Sequence, residues 1–62
     1  MGMDYIVSVT RKDGSQRVFH VYGQQKPRPG DEIALPAEGK FIRAELDIPD
    51  HPDAAKAVAR EI

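Results

Sequence analysis

The residues that could carry chemistry in this chain are few and widely spaced. The chain has 62 residues, with two histidines, His20 and His51, and no cysteine. Neither histidine has a second one at metal-ligand spacing, and zinc needs three or four converging ligands. The lack of cysteine removes thiolate metal ligands, disulfides and thiol nucleophiles together. We therefore predict no metal site and no cofactor.

Nucleophilic catalysis has one conceivable arrangement, with Ser8 close to His20 on a neighbouring strand. Nothing beyond proximity supports it, and a chain of 62 residues cannot enclose the pocket that substrate burial usually requires. The glycines are isolated turn residues rather than a phosphate-binding loop. The sequence therefore predicts a protein without catalytic residues, not an enzyme.

Composition limits the class of protein further. The chain is 40% apolar and 31% charged, which is too hydrophobic for a disordered tail and too polar for a membrane protein. No apolar run exceeds three residues, whereas a membrane span needs about 20. The beginning of the sequence has no secretory leader pattern. We expect a cytoplasmic protein with no membrane partner.

Two hairpins are predicted from alternating apolar residues. Val7 and Phe19 lie on the core faces of the first two strands, and both are odd-numbered, so the loop between the strands must contain an odd number of residues. A three-residue loop, Lys12 to Gly14, pairs Val7 with Phe19. In the second hairpin, a two-residue turn at Glu38-Gly39 opposes Leu35 to Ile42.

The second register also places Glu32 directly opposite Glu45. Two facing carboxylates would raise one pKa or attract a cation, while two side chains that splay into water would do neither. Both interpretations are open at the level of sequence.

The end of the chain has the spacing of a helix. Ala55, Val58, Ala59 and Ile62 recur at i, i+3, i+4 and i+7, and Asp50 can cap the first turn. The predicted core contains apolar residues from all these segments: Tyr5, Val7, Val9, Phe19, Val21, Ile33, Leu35, Ile42, Ala44, Leu46, Ile48, Ala55, Val58, Ala59 and Ile62.

These elements predict a single α+β domain over residues 1–62. Its sheet is a four-stranded antiparallel meander with strands at about 4–11, 16–22, 31–36 and 40–48, and a helix at about 51–61 packs on the apolar face. The sheet either stays open or curls into a small SH3-like or roll-like barrel.

The opposite face of the sheet is unusually apolar for a surface in water. Exposed apolar patches of a few hundred Å² are often contact sites. We therefore predict a protein interaction module, with a second copy of the chain as one possible partner. The candidate interaction face consists of Ile6, Val18, His20, Tyr22, Phe41 and Arg43.

The alternative function is weak binding of single-stranded nucleic acid, RNA in particular. Residues 1–30 hold five Lys/Arg and two Asp, a charge of +3, whereas residues 31–62 hold four Lys/Arg and eight Asp/Glu, a charge of −4. The sequence pI of about 6.0 is low for such a domain. The candidate contacts are Arg11, Arg17, Lys26 and Arg28 for phosphates and Tyr22 for base stacking.

Overall fold

The computed structural model describes residues 3–62 of the chain as one curled β-sheet. Met1 and Gly2, which belong to the predicted domain 1–62, lie outside the described residues. The five strands are β1 (Tyr5–Thr10), β2 (Gln16–Val21), β3 (Glu32–Ala37), β4 (Lys40–Leu46) and β5 (Lys56–Glu61). The α+β prediction is therefore wrong, because this part of the chain is all β and contains no helix.

The sheet has the strand order β2-β1-β5-β4-β3, which is not a meander. The chain forms one hairpin, crosses from one edge of the sheet to the other, forms a second hairpin, and then places β5 between the two. β5 is parallel to β1 and antiparallel to β4. The sheet curls into a half-barrel whose open side lies between its two edge strands, β2 and β3.

Both hairpin registers are confirmed. Val7 pairs with Phe19, and the Arg11 N–H donates to the Ser15 carbonyl at 2.7 Å across the three-residue loop, with Gly14 at a φ of 89°. Leu35 pairs with Ile42 across a two-residue turn in which both Glu38 and Gly39 have positive φ. Positive φ at both central positions is the type I′ geometry that matches strand twist.

The predicted helix at 51–61 is replaced by a loop and β5. Isolated helices of this length are only marginally stable in water, so the high helix propensity of the alanines in this segment is not enough to stabilise a helix. In β5 the backbone instead pairs on both sides, with β1 from Ile6 to Thr10 and with β4 from Ala44 to Leu46. Asp53 stabilises a turn rather than a helix, since its carboxylate accepts a hydrogen bond from the Ala55 N–H at 2.9 Å.

The core lies on the concave face of the sheet. Its buried members are Tyr5, Val7, Val9, Leu35, Ala44, Leu46, Ala57 and Ala59, with Phe19, Val21, Ile33 and Ile42 partly buried beside them. Alanines occupy the middle of the concave face on β4 and β5, where tight curvature leaves little room for larger side chains. The core prediction is wrong for four apolar residues near the end of the chain, which are exposed: Ile48, Ala55, Val58 and Ile62.

The two long connections of the chain are joined by Lys26. Its ammonium group pairs with Asp50 Oδ1 at 3.0 Å and donates to the carbonyls of Asp53 at 3.3 Å and Lys56 at 3.0 Å. This lysine lies between β2 and β3, whereas its partners lead from β4 into β5. Lys26 thus holds the entry to the central strand in place.

Candidate functional site

A groove runs along the open side of the half-barrel. We call it the edge groove, because β2 forms one wall and β3 the other. Its volume is about 670 Å³, and its lining comprises Tyr5, Phe19, His20, Val21, Tyr22, Gln24, Pro27, Glu32, Ile33, Ala34, Leu35, Pro36 and Phe41. The lining is mostly apolar or aromatic, with a few polar groups, which is the usual composition of a binding cleft.

Aromatic side chains from different parts of the chain meet in the edge groove. His20 and Tyr22 are two residues apart in sequence and share a face, and their rings stack with centroids 4.1 Å apart. Phe19 points to the other face of β2, and the Arg17 guanidinium lies 5.4 Å from the centre of its ring. Phe41 comes from β4 and is 76% exposed. The groove therefore has apolar surface available to a partner.

Tyr5 lines the edge groove from the concave side and is only 3% exposed. Burial raises the pKa of its phenol above the ordinary value of 10.0, so the hydroxyl stays protonated at physiological pH. Desolvation alone raises this pKa, with no hydrogen bond contributing to the shift. The hydroxyl is not among the buried side-chain atoms of the described residues that lack a partner, so it reaches water in the groove and is available as a donor to a ligand.

An ion-pair cluster around Glu38 joins residues from several strands. The Glu38 carboxylate lies 3.2 Å from the Arg17 guanidinium of β2 and 3.4 Å from that of Arg11. Arg11 also donates from Nε to Glu61 Oε1 at 2.9 Å. We call these four residues the Glu38 cluster. It links the turn at the end of β3 to β2, the opposite wall of the groove.

The predicted interaction face is split between separate surfaces. His20, Tyr22 and Phe41 line the edge groove, whereas Ile6 and Val18 line a shallower groove on the convex face together with Val58. Arg43 lies outside both grooves and pairs with Glu32 at 2.6 Å. The predicted face does not form one contiguous patch. Ile6 is on β1 and Phe41 is on β4, and β5 lies between these two strands.

The predicted nucleic-acid contacts have different surroundings. Arg11 and Arg17 belong to the Glu38 cluster, and Lys26 is held by carbonyls and Asp50. Arg28 is exposed, and Tyr22 is stacked on His20. Three of the four cations thus already have anionic partners within the chain.

The facing carboxylates Glu32 and Glu45 are opposite each other, as predicted. Each has a separate arginine partner: Glu32 pairs with Arg43, and Glu45 lies 3.9 Å from Arg60. Within residues 3–62 no group of three or more His, Asp or Glu side chains could hold a metal ion. Each carboxylate of the pair therefore has a cationic partner from the chain itself.

Sequence reasoning missed the edge groove itself. Its walls are β2 and β3, and they face each other only because β5 inserts elsewhere in the sheet. One sequence feature was available: Pro36 lacks a backbone N–H and lies in β3, which identifies β3 as an edge strand.

No helix in the described part of the chain is long and apolar enough to cross a membrane. Comparison with known proteins places the chain in no group: no family model, no curated protein and no solved structure matches it.

Proposed function

We propose that this chain is a non-enzymatic protein interaction module that binds a partner protein in the edge groove. The observation that carries the proposal is the groove itself, which combines a volume of about 670 Å³, lined mostly by apolar and aromatic residues, with two strand edges that no other described strand pairs. Unpaired edges are templates for a further strand, and exposed aromatic side chains such as Phe41 are typical anchors at interfaces.

The charges around the groove favour a protein over a nucleic acid. The only carboxylate among the described lining residues is Glu32, and the lining contains no lysine or arginine. A phosphate backbone would find no counter-charge there, whereas uncharged side chains would face an apolar surface. Nucleic-acid binding is the alternative function, and it would have to use exposed cations such as Arg28.

The probe for this proposal is a peptide selected from a phage-displayed library of random peptides on the immobilised chain. The selected peptide is synthesised and titrated into the isotopically labelled chain while amide resonances are recorded. We expect shifts at the residues of β2 and β3 that line the edge groove. Phe41→Ser should weaken binding, whereas Val58→Thr, a variant on the convex face, should not.

Three results would contradict the proposal. The first is a library selection that enriches no peptide. The second is a peptide whose shifts map to the convex face rather than to the edge groove. The third is a short oligouridine that shifts amides near Arg28 at low salt only, which would favour nucleic-acid binding. Light scattering on the free chain separately shows whether a second copy occupies the groove.

A further inference from the structure

We propose that the edge groove binds an uncharged, extended peptide segment as a sixth strand, paired to the backbone of β2 and held by a hydrogen bond from the Tyr5 hydroxyl. This inference rests on the proposed function and specifies its ligand. Three independent features of the groove carry it: the backbone of its walls, the Tyr5 hydroxyl and the charge of its lining.

The backbone of β2 presents free hydrogen-bonding groups to the groove. The N–H of Arg11 bonds to the carbonyl of Ser15, and bonded pairs alternate along an antiparallel ladder. The odd-numbered residues of β2 therefore bond to β1. It follows that the N–H and C=O groups of Val18 and His20 point away from β1 along the free edge of β2, where His20 lines the groove, and they offer two donors and two acceptors to an added strand.

The backbone of β3 offers fewer free hydrogen-bonding groups to an added strand than that of β2. The pair that closes the Glu38-Gly39 turn is Ala37 with Lys40, so the odd-numbered residues of β3 bond to β4. Ala34 and Pro36 face the groove, and Pro36 has no N–H to donate. We therefore assign the paired wall to β2, and β3 supplies mainly side-chain contact.

The Tyr5 hydroxyl supplies the second attachment. Tyr5 is only 3% exposed but lines the groove from its concave side, and its protonated hydroxyl reaches the groove as a donor. An extended peptide displays carbonyl oxygens along both of its sides, so one side can pair with β2 while a carbonyl accepts from Tyr5. The peptide carbonyl would take the place of water as the acceptor of this donor.

The size and charge of the groove select a single neutral strand. β2 and β3 are each six residues long, so the groove matches a segment of similar length. Glu32 is already paired with Arg43, which leaves no unpaired charge among the described lining residues.

The first experiment is a backbone methylation scan of the selected peptide. Methylation at one set of alternate amides should weaken binding by roughly tenfold or more, because those N–H groups pair with β2. The same peptide methylated at the intervening amides is the matched control and should bind nearly as well. Equal effects at both sets, or none at either, would overturn the strand assignment while leaving the groove as the binding site.

The second experiment is Tyr5→Phe, with affinity and stability both measured. Loss of the hydrogen bond should weaken peptide binding by roughly 2- to 10-fold. The midpoint of urea unfolding of the free variant should be nearly unchanged, because the hydroxyl faces the groove and the ring of the variant stays packed in the core. A lower midpoint with unchanged affinity would show that the hydroxyl has only a structural role. Failure to select any peptide would instead overturn the proposed function.

Discussion

Phe41 and Ile42 are neighbours in β4 but face opposite sides of the sheet. Phe41 is exposed in the edge groove, whereas Ile42 is partly buried against the core. Phe41→Ser should change the free energy of unfolding by no more than about 0.5 kcal/mol. Ile42→Ser should lower it by about 2–4 kcal/mol, because it removes apolar contact and introduces a hydroxyl. Urea denaturation of both variants measures the difference, and equal losses would contradict the face assignment.

Glu61 should make stability depend on pH. The backbone N–H of Lys12 and the Arg11 guanidinium hold the pKa of its carboxyl below the ordinary value of 4.5. A pKa lowered by folding stabilises the protein above the ordinary value, and this contribution is lost as pH falls through the lowered pKa. Glu61→Gln should therefore reduce the melting temperature at about pH 7, and the deficit should shrink towards about pH 2.5.

Glu45→Gln is the control for this prediction, since Glu45 is exposed and its nearest arginine nitrogen is 3.9 Å away. An exposed ion pair at that separation contributes little. The control should change the melting temperature only slightly at either pH. A Glu61→Gln deficit that grows on acidification would contradict the assigned sign.

At the scale of the element, β5 provides a direct test of strand against helix. On a helix, Val58 and Ala59 would both lie on the apolar stripe, but in β5 Ala59 is fully buried and Val58 is 38% exposed. Ala59→Leu should destabilise the protein by about 1–3 kcal/mol through overpacking. Val58→Leu should stay within about 0.5 kcal/mol. Urea denaturation compares the two, and equal tolerance of both leucines would contradict the burial of Ala59.

The difference between the predicted and observed elements has a local cause. The two hairpins follow from parity and turn residues that are close in sequence, so their registers could be predicted. Residues 55–62 satisfy both periodicities: Ala55, Val58, Ala59 and Ile62 mark a helix, while Ala57 and Ala59 alternate with Lys56, Val58 and Arg60 as in a strand. Whether residues 55–62 form a helix or a strand depends on the open edges of β1 and β4, which lie far from this segment in the sequence.

The candidate site could be predicted only in part for the same reason. Tyr22 and Phe41 were identified as surface residues from their positions in the two hairpins, and both line the edge groove. The walls of the groove required the strand order β2-β1-β5-β4-β3. No pairing rule within either hairpin specifies that order, so Tyr5 was assigned to the core without a role at the groove.

At the scale of the whole molecule, folding brings basic residues of the first half of the chain next to acidic residues of the second half. β5 from the acidic half lies beside β1 from the basic half. The resulting ion pairs join Arg11 and Arg17 to Glu38, Arg11 to Glu61, and Lys26 to Asp50. Charges that would suggest a basic binding surface in the sequence are instead part of the fold.

Lys26 tests this conclusion, because it was a candidate phosphate contact and is only 11% exposed in its side chain. Lys26→Met should lower the free energy of unfolding by about 1.5–3 kcal/mol, since the carbonyls of Asp53 and Lys56 lose a charged donor. Hydrogen exchange should rise at the Ile6 amide, which bonds to the Ala55 carbonyl at 2.9 Å beside these groups. Arg28→Met, which removes an exposed cation from the same connection, should leave both measurements unchanged. If Lys26→Met kept full stability and lost only affinity for an oligonucleotide, the lysine would be a surface contact and the nucleic-acid alternative would be the better account.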